Sequence, residues 1–233
     1  MMSSANIDAV KTDNGRNAKY NFNSTHAIKT LTAINEIFTL DNSYFTDSMK
    51  TKNDQGTWAF VTQFTEGKAL FALYTLGSAK QITMREMEDD YGLLPLPIGP
   101  SENGGWRDDY RSQVDHNFKA CLIPINNKEA EKTAFLLEAI AFTRWQLTNN
   151  YMETYGSLYF SDDVAAEIVT QVYNWSSFEI SQFFHSVASG QWVELIQKPL
   201  GTLASTPNFD VTGTFSSVAE AAQIFINDYF AGK

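Results

Sequence analysis

Residues 88–124, EDDYGLLPLPIGPSENGGWRDDYRSQVDHNFKACLIP, carry the reading that decides the fold. A short apolar run over residues 91–96 closes on Pro95 and Pro97, a polar loop over residues 99–117 carries Trp106 and Tyr110, and a second apolar run over residues 118–123 closes on Pro124. Both runs are bounded by Gly, Pro and Asp, which favours short strands over buried helix turns. The loop between them has no periodicity of its own and is longer than a connector needs, so it is either a binding element or a disordered one.

Upstream, residues 69–75, ALFALYT, are almost continuously apolar and read as a central strand. Gly77-Ser78 follows, then a helix to about Glu88 with Ile82, Met84 and Met87 as its apolar contacts. Strand, helix and strand in that order make a βα unit, so the fold class is α/β with a partly parallel sheet.

Downstream, a helix opens at an Asn126 cap with Glu129 three residues on. It places Ala130, Ala134, Leu137, Ile140, Ala141 and Trp145 on one broad face over residues 126–147. Beyond it the pattern is almost wholly helical: residues 149–155, a helix capped by Ser161, shorter pieces at 178–187 and 191–196, and a final helix opening at Ser216 or Ser217. Pro199 and Pro207 bound an irregular stretch. Toward the N-terminus, residues 57–65 form a short aromatic helix stopped by Glu66-Gly67. Ser24 or Thr25 caps a helix carrying Ile28, Leu31, Ile34, Ile37 and Phe38. Residues 1–23 are polar and mixed, and read as a lead-in of low order.

The 233 residues are 43% hydrophobic and 19% charged, which is globular and large enough to bury a core without disulfides or metal. A net charge of -10 argues against nucleic acid and against an anionic membrane surface as partners. The one cysteine, Cys121, excludes an internal disulfide and a cysteine-based metal cluster, and in FKACLIP it reads as a small buried hydrophobe. No apolar leader opens the chain, and no run approaches the length of a membrane span.

Nucleophile elbows, phosphate loops, dinucleotide fingerprints and zinc-protease motifs are absent from the sequence. His26, His116 and His185 lie far apart, without metal-site spacing. The acidic groups at 88–90 and 108–109 could pair as general acid and base across the loop, or could be solvated turn residues. Trp106 and Tyr110 stand out more. A Gly-Gly-Trp in a polar loop has no periodic reason to be core, and a ring face beside Asp and Arg suits stacking on the apolar face of a sugar. Trp175, after a helix in VYNWSS, is a similar case, and the alternative for all three rings is that they fold back onto the domain.

The order and spacing of four segments carry a resemblance. These are FTEGKALF at 64–71, MREMEDDYGLLPLP at 84–97, LIP at 122–124, and KEAEKTA at 128–134 with LEA at 137–139. Together they resemble the later part of an extracellular solute-binding protein of the carbohydrate ABC-transporter type. The resemblance implies a periplasmic-binding-protein-like fold of type II, with two α/β lobes closing on a sugar. This chain would hold mainly the C-terminal lobe, have a helical C-terminal half, and be a fragment lacking its N-terminal portion. Residues 24–115 would be C-lobe, 116–160 a strand and helix returning to the N-lobe, and 161–233 helical C-lobe.

The implied function is noncatalytic capture of a sugar or oligosaccharide for ABC-type import, by a monomer without cofactors. The full-length form would be extracellular, anchored as a lipoprotein, and partnered by a permease. The implied ligand residues are Thr75 in the turn after the first strand, then Trp106, Asp109, Tyr110 and Arg111 in the loop, and Trp175. The alternatives are an interaction module using the same lobe without transport, and a glycan-active enzyme built on two carboxylates.

Overall fold

The computed structural model describes residues 2–13, 16–41, 51–52, 58–80, 82–99, 110–114, 123–160, 164–182, 184 and 190–232. The chain divides into two compact units, Met1–Leu73 with Leu96–His116 and Trp175–Lys233, and Tyr74–Pro95 with Asn117–Asn174. Each is described by itself.

The first unit begins where a poorly ordered lead-in was expected, and that expectation is corrected. A 3-10 turn, Ser3–Ala5, leads into strands β1 (Val10–Asp13) and β2 (Arg16–Tyr20), which pair antiparallel with Asp13 opposite Arg16. Ile7, Ala9, Val10, Tyr20 and Phe22 are buried in the main core. A polar-looking stretch was enough because those residues, with Ala5, face inward. Helix α1 (Thr25–Phe38) follows, with the Ser24 hydroxyl accepting from the Ala27 N–H as anticipated, and it buries Ala27, Leu31 and Ile34. Helix α2 (Ala59–Thr65) ends as Glu66-Gly67 foretold: the Gly67 N–H donates to Phe64 O and the Lys68 N–H to Gln63 O.

The C-terminal part of this unit holds a π-helical stretch, Val193–Gln197, running into helix α6 (Lys198–Ser205), and then helices α7 (Val211–Ser217) and α8 (Ala219–Phe230). Pro199 does not bound an irregular stretch. It follows directly on the π-helical stretch inside one continuous helical run, and the wider turn before it is where the hydrogen-bond ladder accommodates a residue with no N–H to give. The edge of β2 is covered by one side chain: Tyr20 N–H donates to Gln223 Oε1 (2.9 Å) and Gln223 Nε2 donates to Ala18 O (3.1 Å).

The second unit is built on helices α4 (Ala130–Tyr159) and α5 (Ala165–Asn174), with the short helix α3 (Ile82–Arg85) also belonging to it. The helices expected at 126–147 and 149–155 are one continuous 30-residue helix. It starts after the anticipated cap, since Asn127 Oδ1 accepts from the Glu129 N–H and Glu129 becomes the boundary. Gly156 lets α4 and α5 meet, because a Cβ there would lie 2.7 Å from the Ala166 Cβ. A small core of Ala79, Tyr155 and Val169 forms beside this crossing. The Tyr155 hydroxyl donates to Leu76 O (2.7 Å), and burial, then the nearby Tyr151, Tyr159 and Tyr91, push its pKa up to about 12.

The N-terminal two-thirds of α4 is different. Phe135, Leu136, Ile140, Phe142 and Leu147 are exposed, Phe142 at 83%, so a broad apolar face stands uncovered.

The expected parallel sheet is not formed among the described residues. Residues 69–75 and 91–96 are not strands there, and Leu70 and Phe71 are 83% and 69% exposed. Continuous apolarity reports a demand for burial and says nothing about whether a ladder partner is at hand. The other expected strand, 118–123, lies outside the described residues apart from Ile123, which is exposed.

Candidate functional site

Three of the sequence-selected residues come together in the first unit. Tyr110 and Arg111 lie within the stretch read as the polar loop, and the next two residues of that stretch, Ser112–Gln113 (β3), pair in parallel with Ser176–Ser177 (β4). Ser112 N–H donates to Trp175 O (2.8 Å) and Val114 N–H to Ser177 O (3.0 Å). This short ladder brings Tyr110 beside Trp175, 65 residues later in sequence, with ring centroids 4.6 Å apart and planes tilted by 57°. Both rings are half-buried, so each keeps part of its surface in solvent. Burial raises the pKa of Tyr110, and a main-chain hydrogen bond involving Leu96 works the other way. The phenol is neutral at physiological pH and can both donate and accept.

Arg111 leaves the chain toward Asp8. Its Nη1 lies 3.1 Å from Asp8 Oδ2, and its Nη2 lies 3.2 Å and 3.1 Å from the two carboxylate oxygens, a fork on a carboxylate. Its Nε is buried without a hydrogen-bond partner. The start of the loop is pinned to the same N-terminal segment, since Gly99 N–H donates to Ser4 O and a Cβ at Gly99 would lie 2.5 Å from the Ala5 Cβ. Asp8, Ser4 and Ala5 were not singled out in the sequence, where they looked like lead-in. The signal that could have found them is the Asn14-Gly15 pair between two short runs, a strong hairpin mark that would have ordered the segment.

The same unit holds a cavity of about 50 Å³, lined by Phe22, Trp192, Gln113, Gln182, Ser181 and Glu179 among others. That is room for a few waters and too little for a sugar. Glu179 is buried, accepts from Val10 N–H (3.2 Å) and from the Ser181 hydroxyl, and has its pKa raised by burial against those two hydrogen bonds. A carboxyl with a raised folded pKa favours the fold most at low pH, and that contribution is lost as pH rises from its ordinary value of 4.5 through the folded one. Glu179→Gln keeps the acceptor for Val10 and removes the charge. It is expected to raise the melting temperature at pH 8 and to flatten its decline between pH 5 and 8; an unchanged pH profile by calorimetry would refute the assignment.

Thr75 belongs to the second unit, where its hydroxyl pairs with that of Ser78 at 2.9 Å. Trp106 and Asp109 lie outside the described residues, as do Cys121, His116 and His185. Among the described residues no group of three or more His, Cys, Asp or Glu could hold a metal ion, and no helix is long and apolar enough to cross a membrane. No family model, curated protein or solved structure matches this chain.

Proposed function

We propose that the chain is a noncatalytic carbohydrate-binding protein whose contact surface is centred on Tyr110 and Trp175. Within that class the reading is a solute-binding protein of the carbohydrate ABC-transporter type, extracellular and serving import through a permease, with this chain representing mainly its C-terminal lobe. One observation carries the binding part: two aromatic residues suited to sugar stacking, and far apart in sequence, meet with ring centroids 4.6 Å apart while each remains only half-buried. The transport part rests on the four-segment resemblance. The uncovered apolar face of α4 supports it, because the same resemblance assigns residues 116–160 to the neighbourhood of another lobe.

An open surface of one lobe lacks the enclosure that gives ligand pockets their affinity, so binding by this chain is weak, with Kd on the order of 1 mM. Saccharide-observed NMR and calorimetry with a panel of mono- and oligosaccharides test it. Trp175→Ala, which leaves the main-chain ladder intact, is expected to weaken binding of the best ligand roughly tenfold. Absence of binding by every saccharide at high millimolar concentration sinks the reading, and micromolar or tighter binding refutes the open half-site.

A further inference from the structure

We infer that the Asp8–Arg111 ion pair is a positioning clamp: it sets the placement of Tyr110 against Trp175 without itself contacting ligand. The inference rests on the carbohydrate reading for its functional consequence, and on geometry alone for its structural one.

The resemblance makes Arg111 a ligand residue, and a guanidinium beside an aromatic ring suits sugar hydroxyls. The structure gives its donors other work. Both terminal nitrogens face the Asp8 carboxylate, and Nε is buried. The side chains of the pair are 25% and 24% exposed, so solvent screens them less than it would a surface pair. Arg111 lies between the residue whose ring meets Trp175 and the residue whose N–H donates to Trp175 O. Whatever fixes the Arg111 side chain therefore fixes the backbone on both sides of it.

Asp8 supplies a firm anchor, because its neighbours are core residues. Ile7 and Ala9 are buried, Asp8 O accepts from Asn21 Nδ2 (2.9 Å), and the Val10 N–H is held by Glu179. Glu179 lies just beyond β4, two residues after Ser177 and four after Trp175. The N-terminal segment is thus tied to both halves of the aromatic pair, through Arg111 to Tyr110 and through Glu179 to the segment that carries Trp175. The fork geometry matters as well as the charge, since a lysine ammonium cannot make the two parallel contacts.

Near-UV circular dichroism of the free protein tests the clamp. Asp8→Asn and Arg111→Lys are measured each in the wild-type background and in a Trp175→Phe background, with far-UV spectra and melting curves confirming the fold. The expected result is a changed indole signal in both single variants that disappears when Trp175 is already phenylalanine. A several-fold weaker saccharide affinity with little change in melting temperature should accompany it. An indole signal untouched by both variants overturns the clamp, and so does a change that persists in the Trp175→Phe background. Should the signal change while no saccharide binds even the wild type, the clamp stands and the carbohydrate reading falls. Using two variants keeps the test decisive if Asp8→Asn fails to fold.

Discussion

Replacing Asn35 by aspartate is expected to destabilise the protein by about 3–5 kcal/mol at neutral pH, and by markedly less near pH 4. Asn35 is buried on α1, and its amide is fully used across the core. Nδ2 donates to Leu203 O (2.5 Å) and to Thr206 O (2.8 Å), while Oδ1 accepts from Phe209 N–H (3.3 Å). Carbonyls at a helix end lack intrahelical partners, and Asn35 supplies them for the end of α6. Aspartate keeps the shape but exchanges two donors for lone pairs, so a carboxylate would face two carbonyl oxygens at the negative end of a helix.

That environment raises the pKa of the introduced carboxyl above its unfolded value of about 3.9. The folded variant then binds more protons than the unfolded one through the acid range, so its deficit is smallest below about pH 4 and grows as pH rises. Urea unfolding of both proteins at pH 4 and pH 8 measures it. A deficit under about 1 kcal/mol at pH 8, or one equal at the two pH values, would show that the amide does not cap α6. Asn35→Leu, which loses the same bonds without gaining a charge, should be destabilised by a pH-independent amount.

The sequence made local structure legible where one face of an element is buried and its ends carry chemistry. Ser24 and the Ile28–Leu31–Ile34 stripe announced α1, and Glu66-Gly67 announced the end of α2. It was less legible where partners decide the outcome. ALFALYT has the composition of a central strand, but a strand exists only when another lies alongside it, and no local pattern reports that. Residues 2–23 show the opposite error: their apolar residues are too few to stand out by composition, yet Ile7, Val10 and Phe22 are all core. Both rings of the aromatic pair were readable as candidates, without a periodic reason to be core, but their meeting was not. That Tyr110 meets Trp175 depends on a two-residue parallel ladder, and that Arg111 turns away to Asp8 depends on a segment 103 residues earlier. The ladder leaves no mark in the spacing of the residues themselves, and the one mark of the N-terminal segment is the Asn14-Gly15 pair.

The second large effect is expected at Trp192, where truncation to alanine should cost about 3–5 kcal/mol, while the same change at Trp58 should cost less than about 1 kcal/mol. Both tryptophans lie in segments that read as helical, residues 57–65 and 191–196. Trp192 is 1% exposed and stands in an aromatic cluster, its ring 4.9 Å from Phe184 in an edge-to-face contact and 5.4 Å from Phe225. Phe184 in turn meets Tyr229 at 4.6 Å, so the cluster joins the helix at Trp192 to α8. Removing the indole takes away the group that both neighbours pack on. The void it leaves would open into the cavity that Trp192 already lines, which gives the surrounding side chains little to collapse against. Trp58 is only half-buried, stacked on Phe60 at 6.4 Å with the Lys52 ammonium 4.5 Å from its ring centroid, and solvent takes over most of what truncation removes. Trp192→Phe should fall between the two, because a smaller ring retains the contacts to Phe184 and Phe225. Denaturant midpoints for the three variants, at unchanged m-value, read the ranking. Equal losses at Trp192 and Trp58 would mean that the aromatic cluster is not the centre of this core.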